Sequence, residues 1–221
     1  MARPSLAGMR IFKHGHACVR IETGPHRIVL DPGMFTAPEA LDGATAVLIT
    51  HEHPDHWTPD TLRATDAPVF TIEAVATQIR EQAPDVADRV IVVEPGATLD
   101  AGVPVQVVGE KHAVIHPELP HFDNSGYFVT VEDTTVFHPG DALTVPPTTP
   151  DLLLLPVSAP WLKVSEAIDY GREMAAPRAV AIHDAVYSEA GLGIIDGHLG
   201  RFLGARGLEY VRLKPGAELD G

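Results

Sequence analysis

The residues best suited to chemistry lie near position 50, where the chain reads THEHPDHW directly after an apolar run. The ligand-type side chains in this stretch are His51, His53, Asp55 and His56. Neutral imidazoles and carboxylates are the groups that zinc and related divalent metals prefer. A solvated polar turn would explain each histidine singly but not the whole group. The stretch therefore predicts a metal-binding loop.

Further ligands must come from elsewhere, because four neighbouring groups on one tight loop cannot all face one tetrahedral ion. Three other predicted strands end at suitable residues, namely His112, Asp141 and His183. Ligands at the ends of separate strands converge on one edge of a sheet, which is where α/β sites form. His116 follows His112 by four residues and is an alternative to it. The position of His112 closer to the strand end favours His112.

The elements that must position these residues are strands and amphipathic helices. Apolar and alternating runs predict strands in the segments MRIFK, ACVRIET, HRIVLDPG, ATAVLIT, APVFTI, RVIVVEPG, TLDAGVPVQVVGE, GYFVTVEDTTVFHPGD, DLLLLPV and RAVAIHD. Helices are predicted in TPDTLRAT, with Thr58 as its cap and Pro59 in its first turn, in EAVATQIREQ, in SEAIDYGREMAA and near 195–206. Each half of the chain thus has strands first and α/β units later, a pattern typical of helices packed on sheets.

Composition narrows the class of protein. The chain has 221 residues, 45% of them hydrophobic, and a formal charge of −14 from 30 acidic and 16 basic residues. From this length we expect one domain, residues 1–221. We expect its substrate to be a small molecule, because the negative charge repels nucleic acid and anionic membranes. The single cysteine, Cys18, forms no internal disulfide and is interpreted as a small buried hydrophobe, so a cytoplasmic location is expected. No apolar run approaches the roughly 20 residues that a membrane-spanning helix needs.

The order of HEHPDH, His112, HPGD and His183, with VLDPG near the start, resembles the metallo-β-lactamase superfamily. This resemblance implies an α/β fold, the four-layer αβ/βα sandwich, with a two-metal site between the sheets. By the same resemblance, His51, His53 and His112 would hold the first metal, Asp55, His56 and His183 the second, and Asp141 would bridge them. Asp31 would orient the histidine loop through hydrogen bonds.

Within this superfamily, GHACVRIET, VLDPGMF and HPGD are most similar to the branch that contains the ascorbate-6-phosphate lactonase. Asp141 stands where antibiotic-hydrolysing members have a cysteine or no bridging residue, so β-lactam cleavage is not expected. His53 stands where di-iron flavoprotein relatives carry glutamate, which favours hydrolysis over oxygen chemistry.

The function that these residues favour is hydrolysis of a small ester, lactone or phosphodiester by a hydroxide at a dinuclear site. Two divalent metal ions are expected, with Zn²⁺ as the first choice and Mn²⁺ or Fe²⁺ as alternatives. Asp55 is the candidate catalytic residue, because it can orient the nucleophile and accept its proton. Two other functions stay open: a non-catalytic metal-binding or ligand-sensing module, and a nucleic-acid phosphodiesterase of the same fold.

Several residues outside these motifs have weaker interpretations. His14, His26 and His198 have no partner pattern and are interpreted as structural or solvated. His16 is interpreted in the same way, although its segment can approach the site. His138 precedes Pro139 and is interpreted as a strand residue that points away from the metals. The others are interpreted as packing or surface residues with an alternative position near the pocket: His121, Trp161, Asp184 and Tyr187.

Overall fold

The computed structural model describes residue 6 and residues 8–220. Two mixed β-sheets lie at its centre. The first sheet consists of β1 Arg10–Gly15, β2 Cys18–Thr23, β3 His26–Leu30, β4 Ala46–Ile49, β5 Val69–Thr71 and β6 Val90–Val92. The second consists of β7 Thr98–Asp100, β8 Pro104–Val108, β9 Gly126–Val131, β10 Thr134–His138, β11 Leu152–Pro156, β12 Arg178–Ile182 and β13 Glu209–Val211.

Four α-helices connect and cover the strands. They are α1 Pro59–Arg63, α2 Glu73–Gln82, α3 Val164–Met174 and α4 Glu189–Gly204. Thr58 caps α1 as predicted, accepting a hydrogen bond from the backbone N–H of Thr61 at 3.1 Å. Two short 3₁₀ helices, Pro38–Leu41 and Ala87–Arg89, complete the regular structure.

The two sheets repeat one topology, as the order of elements in the sequence predicts. In the first sheet the strands lie in chain order, with antiparallel pairs up to β3 and parallel pairs from β3 to β6. In the second sheet the pairs are antiparallel from β7 to β10 and parallel from β10 to β13. The carboxyl ends of the parallel strands therefore meet along the edges where loops to the helices begin.

The core sits between the sheets. Ile21, Leu30 and Leu48 of the first sheet belong to the same buried cluster as Val129 and Leu154 of the second. Helices α1 and α2 pack on the outer face of the first sheet, and α3 and α4 pack on the outer face of the second. The chain is therefore the predicted four-layer αβ/βα sandwich.

Two elements differ from the sequence prediction. Helix α4 begins at Glu189, several residues before the predicted start near 195, because Ser188 caps it by accepting a hydrogen bond from the Gly191 N–H at 3.2 Å. The short edge strand β13 was not predicted at all. That residues 1–221 form one domain stays a prediction, and residues 1–5, 7 and 221 lie outside the described part of the chain. None of the described helices is long and apolar enough to cross a membrane.

Candidate metal centre

The candidate site is built from residues that directly follow strands. Asp31 comes after β3, the histidine loop of residues 51–56 after β4, and His183 after β12. His112 follows β8 and Asp141 follows β10 after short turns. The two sheets therefore deliver the predicted ligand residues to one place, as the strand-end argument predicts.

One group of possible ligands contains His51, His53, His112 and Asp141, whose candidate ligand atoms all lie within 4.8 Å of one another. The ring nitrogens His51 Nε2 and His53 Nδ1 are 3.1 Å apart. Asp141 Oδ2 lies 3.4 Å from His112 Nε2 and 4.0 Å from His51 Nε2. These are the residues that the family resemblance assigns to the first metal, together with the bridging residue that it implies.

A second group contains His16, Asp55, His56 and His183, again with candidate ligand atoms within 4.8 Å of one another. Asp55 Oδ2 lies 3.1 Å from His16 Nε2, 3.4 Å from His183 Nε2 and 3.8 Å from His56 Nε2. Three of these residues were predicted, and His16 is an addition.

Asp141 contacts both groups. Its Oδ1 lies 3.2 Å from His56 Nε2, and its Oδ2 lies 3.0 Å from His183 Nε2 and 3.4 Å from His112 Nε2. The carboxylate is almost completely buried. It therefore occupies the position between the two groups that a bridging ligand would need.

The hydrogen bonds of the imidazoles determine which ring nitrogen can bind a cation. Three Nδ1 atoms face oxygen acceptors: His56 Nδ1 donates to Asp31 Oδ2 at 2.7 Å, His112 Nδ1 to the Ala113 carbonyl at 2.5 Å, and His183 Nδ1 to the Ser158 carbonyl. Since each proton is on Nδ1, each neutral ring leaves a lone pair on Nε2. The Nε2 atoms are the ones directed at the two groups.

His51 follows the same rule through a relay. The Thr50 hydroxyl donates to Asp31 Oδ2 at 2.7 Å, so Thr50 Oγ1 accepts from His51 Nδ1 at 2.9 Å. His51 Nε2 is then also a lone-pair nitrogen.

The residues fit divalent cations by a test that is independent of sequence motifs. Within the described part of the chain, His56 Nε2, His112 Nε2, His183 Nε2 and Asp141 Oδ1 are buried without a hydrogen-bond partner. An unsatisfied buried polar atom costs about 1–3 kcal/mol. Cations shared among these lone pairs would remove that cost, and a set of imidazoles and carboxylates without thiolate suits zinc, manganese and iron.

Asp31 holds the histidine loop in place through hydrogen bonds, as the family resemblance implies. Its carboxylate accepts from the Thr50 N–H at 2.8 Å as well as from the Thr50 hydroxyl and His56 Nδ1. The residue is fully buried and has a left-handed φ of 46°. A carboxylate behind a histidine ligand fixes its tautomer and increases its basicity.

The electrostatics of the centre favour positive charge. Burial acts to lower the pKa of His183, but the Asp141 and Asp55 carboxylates outweigh it and raise that pKa to about 9. Burial acts to raise the pKa of Asp55, yet the hydrogen bond from His16 and the electrostatic effect of the nearby His56 and His183 rings hold that pKa well below its usual range. Burial also acts to raise the pKa of Asp141, but the His183 and His56 rings outweigh it and hold that pKa well below its usual range. The two carboxylates stay ionised, so they stabilise positive charge on imidazoles or on a divalent cation at this position.

Several weaker sequence interpretations are now resolved. Trp161 lies at the site, because its Nε1–H donates to Asp141 Oδ2 at 3.0 Å. His116 is exposed, whereas His112 belongs to the first group, so the structure favours His112. His138 lies behind the site and hydrogen bonds to the Ala17 carbonyl at 2.9 Å. Cys18 is fully buried in an apolar cluster, as predicted.

The remaining candidates serve packing or the loop surface. Asp184 pairs with the buried Lys13 Nζ at 2.8 Å and ties the loop after β12 to β1. His121 Nε2 hydrogen bonds to the His112 carbonyl at 2.8 Å. Tyr187 is exposed, and His198 stacks on Phe202 on the surface of α4.

A cavity of about 430 Å³ opens beside the histidine loop. His53 lines it together with Trp57, Gln78, Gln82 and Phe122. Because His53 lines it, this cavity is a candidate space for a bound small molecule, and its lining combines aromatic rings with amide groups.

Comparisons with known proteins agree with the fold and the motifs. The pattern of the β-lactamase superfamily domain matches residues 10–183. Protein Rv0786c of Mycobacterium tuberculosis is 39% identical over 198 residues, which cover 86% of this chain and 91% of that protein. A UPF0173 metal-dependent hydrolase of Pyrobaculum arsenaticum is 30% identical over 146 residues, which cover 60% of this chain and 61% of that protein.

Among solved structures, CmlA of Streptomyces venezuelae, a diiron beta-hydroxylase, superposes with a TM-score of 0.75 at 15% sequence identity. The match covers 96% of this chain and 54% of CmlA. At this identity the likeness shows the fold alone. The chain, by its matched domain pattern and its close relatives, belongs to the metallo-β-lactamase superfamily.

Proposed function

We propose that this protein is a metal-dependent hydrolase that binds two divalent cations and cleaves a small ester, lactone or phosphodiester. The observation that carries the proposal is the set of buried, unpartnered Nε2 and carboxylate atoms directed at two adjacent points. Such a set is costly to bury for structural reasons alone. The similarity to a relative named as a metal-dependent hydrolase supports the same activity.

The ligand assignment follows the two groups. His51, His53 and His112 would hold the first cation, Asp55, His56 and His183 the second, and Asp141 would contact both. Zn²⁺ is the metal that we expect, since it accepts this mixture of imidazole and carboxylate, with Mn²⁺ and Fe²⁺ as alternatives. Two bound cations would supply Lewis acidity and would lower the pKa of an attached water toward about 7.

The side chains have separate tasks. Asp55 is the most accessible of the assigned carboxylates, and being ionised it accepts hydrogen bonds and can orient a nucleophilic water. Trp161 fixes the Asp141 carboxylate by its indole N–H. Asp31 fixes the proton of His56.

We place the substrate in the cavity beside His53. Phe122 contacts the His53 ring edge-on, with 4.7 Å between the ring centroids, and so forms an apolar part of the cavity wall beside His53. Gln78 and Gln82 add neutral amide groups to the lining, and Glu52 adds one carboxyl group, which opposes an anionic ligand. This wall suits a small, uncharged or weakly charged molecule, and the charge of −14 opposes a nucleic acid. A lactone that carries no strongly charged group fits these limits.

The experiment is a substrate screen on protein purified without chelators and loaded with Zn²⁺, Mn²⁺ or Fe²⁺. We expect hydrolysis of at least one ester, lactone or phosphodiester in a broad panel. Asp55→Asn should lower kcat by about two orders of magnitude or more while the protein stays folded. Protein that binds two metals yet hydrolyses nothing in the panel would overturn the proposal in favour of a sensing module.

A further inference from the structure

His16 has its proton on the opposite nitrogen from the other histidines of the site. The backbone N–H of Ala185 donates to His16 Nδ1 at 3.0 Å. A nitrogen that accepts a hydrogen bond carries no proton, so the neutral ring of His16 must carry its proton on Nε2. If both ring nitrogens were protonated, the His16 Nδ1–H would point at the Ala185 N–H, and this repulsion disfavours the charged ring.

The protonated Nε2 faces Asp55. The distance from His16 Nε2 to Asp55 Oδ2 is 3.1 Å, a normal length for a hydrogen bond to a carboxylate. A nitrogen that carries a proton has no lone pair for a cation. His56 and His183 have the reverse arrangement, with Nδ1 donating and Nε2 unpartnered.

We propose that His16 is a positioning residue that donates a hydrogen bond to Asp55 and does not ligate a metal, although it lies within the second group. The inference rests on the proposed function in assuming that this group binds a cation. In this role, His16 fixes the orientation of the Asp55 carboxylate through its hydrogen bond to Oδ2.

The backbone of His16 supports this task. Its carbonyl accepts from the His183 N–H at 3.0 Å, so ring and backbone together hold the segment that carries His183. His16 itself is fixed in the turn between β1 and β2 with a left-handed φ of 47°, and its side chain is 1% exposed. Before it, Gly15 has a φ of 109°, and a Cβ there would lie 2.3 Å from the Phe35 carbonyl oxygen. Backbone contacts on both residues therefore fix the conformation of this turn. His16 connects the loop that carries Asp55 to the loop that carries His183.

The first test counts metal ions per chain after equilibrium dialysis against Zn²⁺, in the unsubstituted protein and in H16A, H16Q and H56Q. We expect the unsubstituted protein and both His16 variants to bind two ions and H56Q to bind one. H16A should lower kcat by about 10- to 100-fold, as expected for a residue that orients a metal ligand. H16Q should recover part of that loss, because its amide N–H can replace the imidazole N–H.

The second test needs no variant and so does not depend on folding of a substituted chain. In protein labelled with ¹⁵N-histidine and loaded with ¹¹³Cd²⁺, we expect His16 Nε2 to carry a proton and His56 Nε2 to show coupling to cadmium. Coupling of cadmium to His16 Nε2, or a loss of one ion in H16Q, would overturn the inference. If the unsubstituted protein bound no metal, the proposed function would fail, while the position of the His16 proton would still decide the inference by the same spectrum.

Discussion

The protonation of each histidine at this site is decided by one neighbouring oxygen or nitrogen atom. Asp31 illustrates this rule, because one carboxylate sets the tautomer of His56 directly and that of His51 through the Thr50 hydroxyl. Sequence motifs identify His51 and His56 as ligands, but they do not show which nitrogen is free. That information comes only from the atoms packed behind each ring.

Replacing Asp31 by Asn should weaken metal binding without removing a ligand. One of the two carboxylate oxygens becomes an NH₂ group, which accepts no hydrogen bond, so the side chain can no longer accept from the Thr50 N–H, the Thr50 hydroxyl and His56 Nδ1 together. We expect the affinity for the second Zn²⁺ to fall by about 10- to 100-fold. A competition titration with a chromophoric chelator measures this change.

Asp151→Asn is the matched control for Asp31→Asn. Asp151 also accepts from a threonine, through the Thr135 N–H at 2.9 Å and the Thr135 hydroxyl at 2.7 Å, but it lies away from the histidines. This control should leave zinc affinity unchanged. Equal zinc affinity in Asp31→Asn and the unsubstituted protein would contradict the role given to Asp31.

Cys18 gives a pH dependence of stability that is separate from the metals. Burial raises the pKa of its thiol from 9.0 to about 12, so above pH 9 the unfolded chain loses this proton while the folded chain keeps it. The contribution of the thiol to stability is therefore complete below about pH 9 and is lost as the pH rises toward 12, by about 1.4 kcal/mol per pH unit. The stability difference between the unsubstituted protein and Cys18→Ala should change by that amount in urea unfolding at pH 9, 10 and 11. A difference that is constant over this range would refute the expectation.

At the scale of elements, the histidine loop after β4 is positioned by the loop after β3. Gly33 packs against the backbone of the histidine loop so closely that a Cβ would lie 1.9 Å from the Asp55 carbonyl oxygen and 2.5 Å from the His56 nitrogen. The Met34 N–H also donates to the Pro54 carbonyl at 2.9 Å. The two loops therefore form one packed unit beneath the ligands.

Gly33→Ala should displace this unit, since the clash is with backbone atoms that no side-chain rotation can relieve. We expect a loss of about 1–3 kcal/mol in the free energy of unfolding, together with weaker zinc binding. Gly197→Ala, in the exposed face of α4 with nothing within 4 Å of the added Cβ, is the control. That substitution should raise the free energy of unfolding by about 0.5–1 kcal/mol, because alanine favours a helix more than glycine does. Denaturant unfolding with and without Zn²⁺ distinguishes the two, and similar behaviour of both variants would contradict the packing argument.

The elements also show where sequence patterns suffice. The run EAVATQIREQ predicts α2 with the bounds that the structure has, because its apolar residues recur at helical spacing. Helix α4 was predicted too short, since its glycines at 191, 193, 197, 200 and 204 weaken the helical signal, although Ser188 is a recognisable cap. His16 was not assigned to the site because it has no partner nearby in the sequence. Its contacts with Asp55 and Ala185 exist only once the two sheets are packed together.

At the scale of the whole molecule, the repeated topology explains why the centre lies where it does. In both sheets the carboxyl ends of the parallel strands lie in the same region of the molecule. Ligands separated by more than 100 residues, such as Asp55 and His183, therefore come together there. The order of motifs predicts this convergence and the four layers. It does not predict Trp161 as a partner of Asp141, which depends on how the loop after β11 closes over the site.

The central claim is that the two adjacent groups each hold a divalent cation. Anomalous X-ray diffraction at the zinc edge, from crystals of zinc-loaded protein, tests it most directly. We predict two peaks, one about 2.1 Å from the ring nitrogens of His51, His53 and His112 and one at the same distance from Nε2 of His56 and His183, with Asp141 touching both. Zinc-loaded crystals with no peak among these residues, or with a single one, would contradict the account.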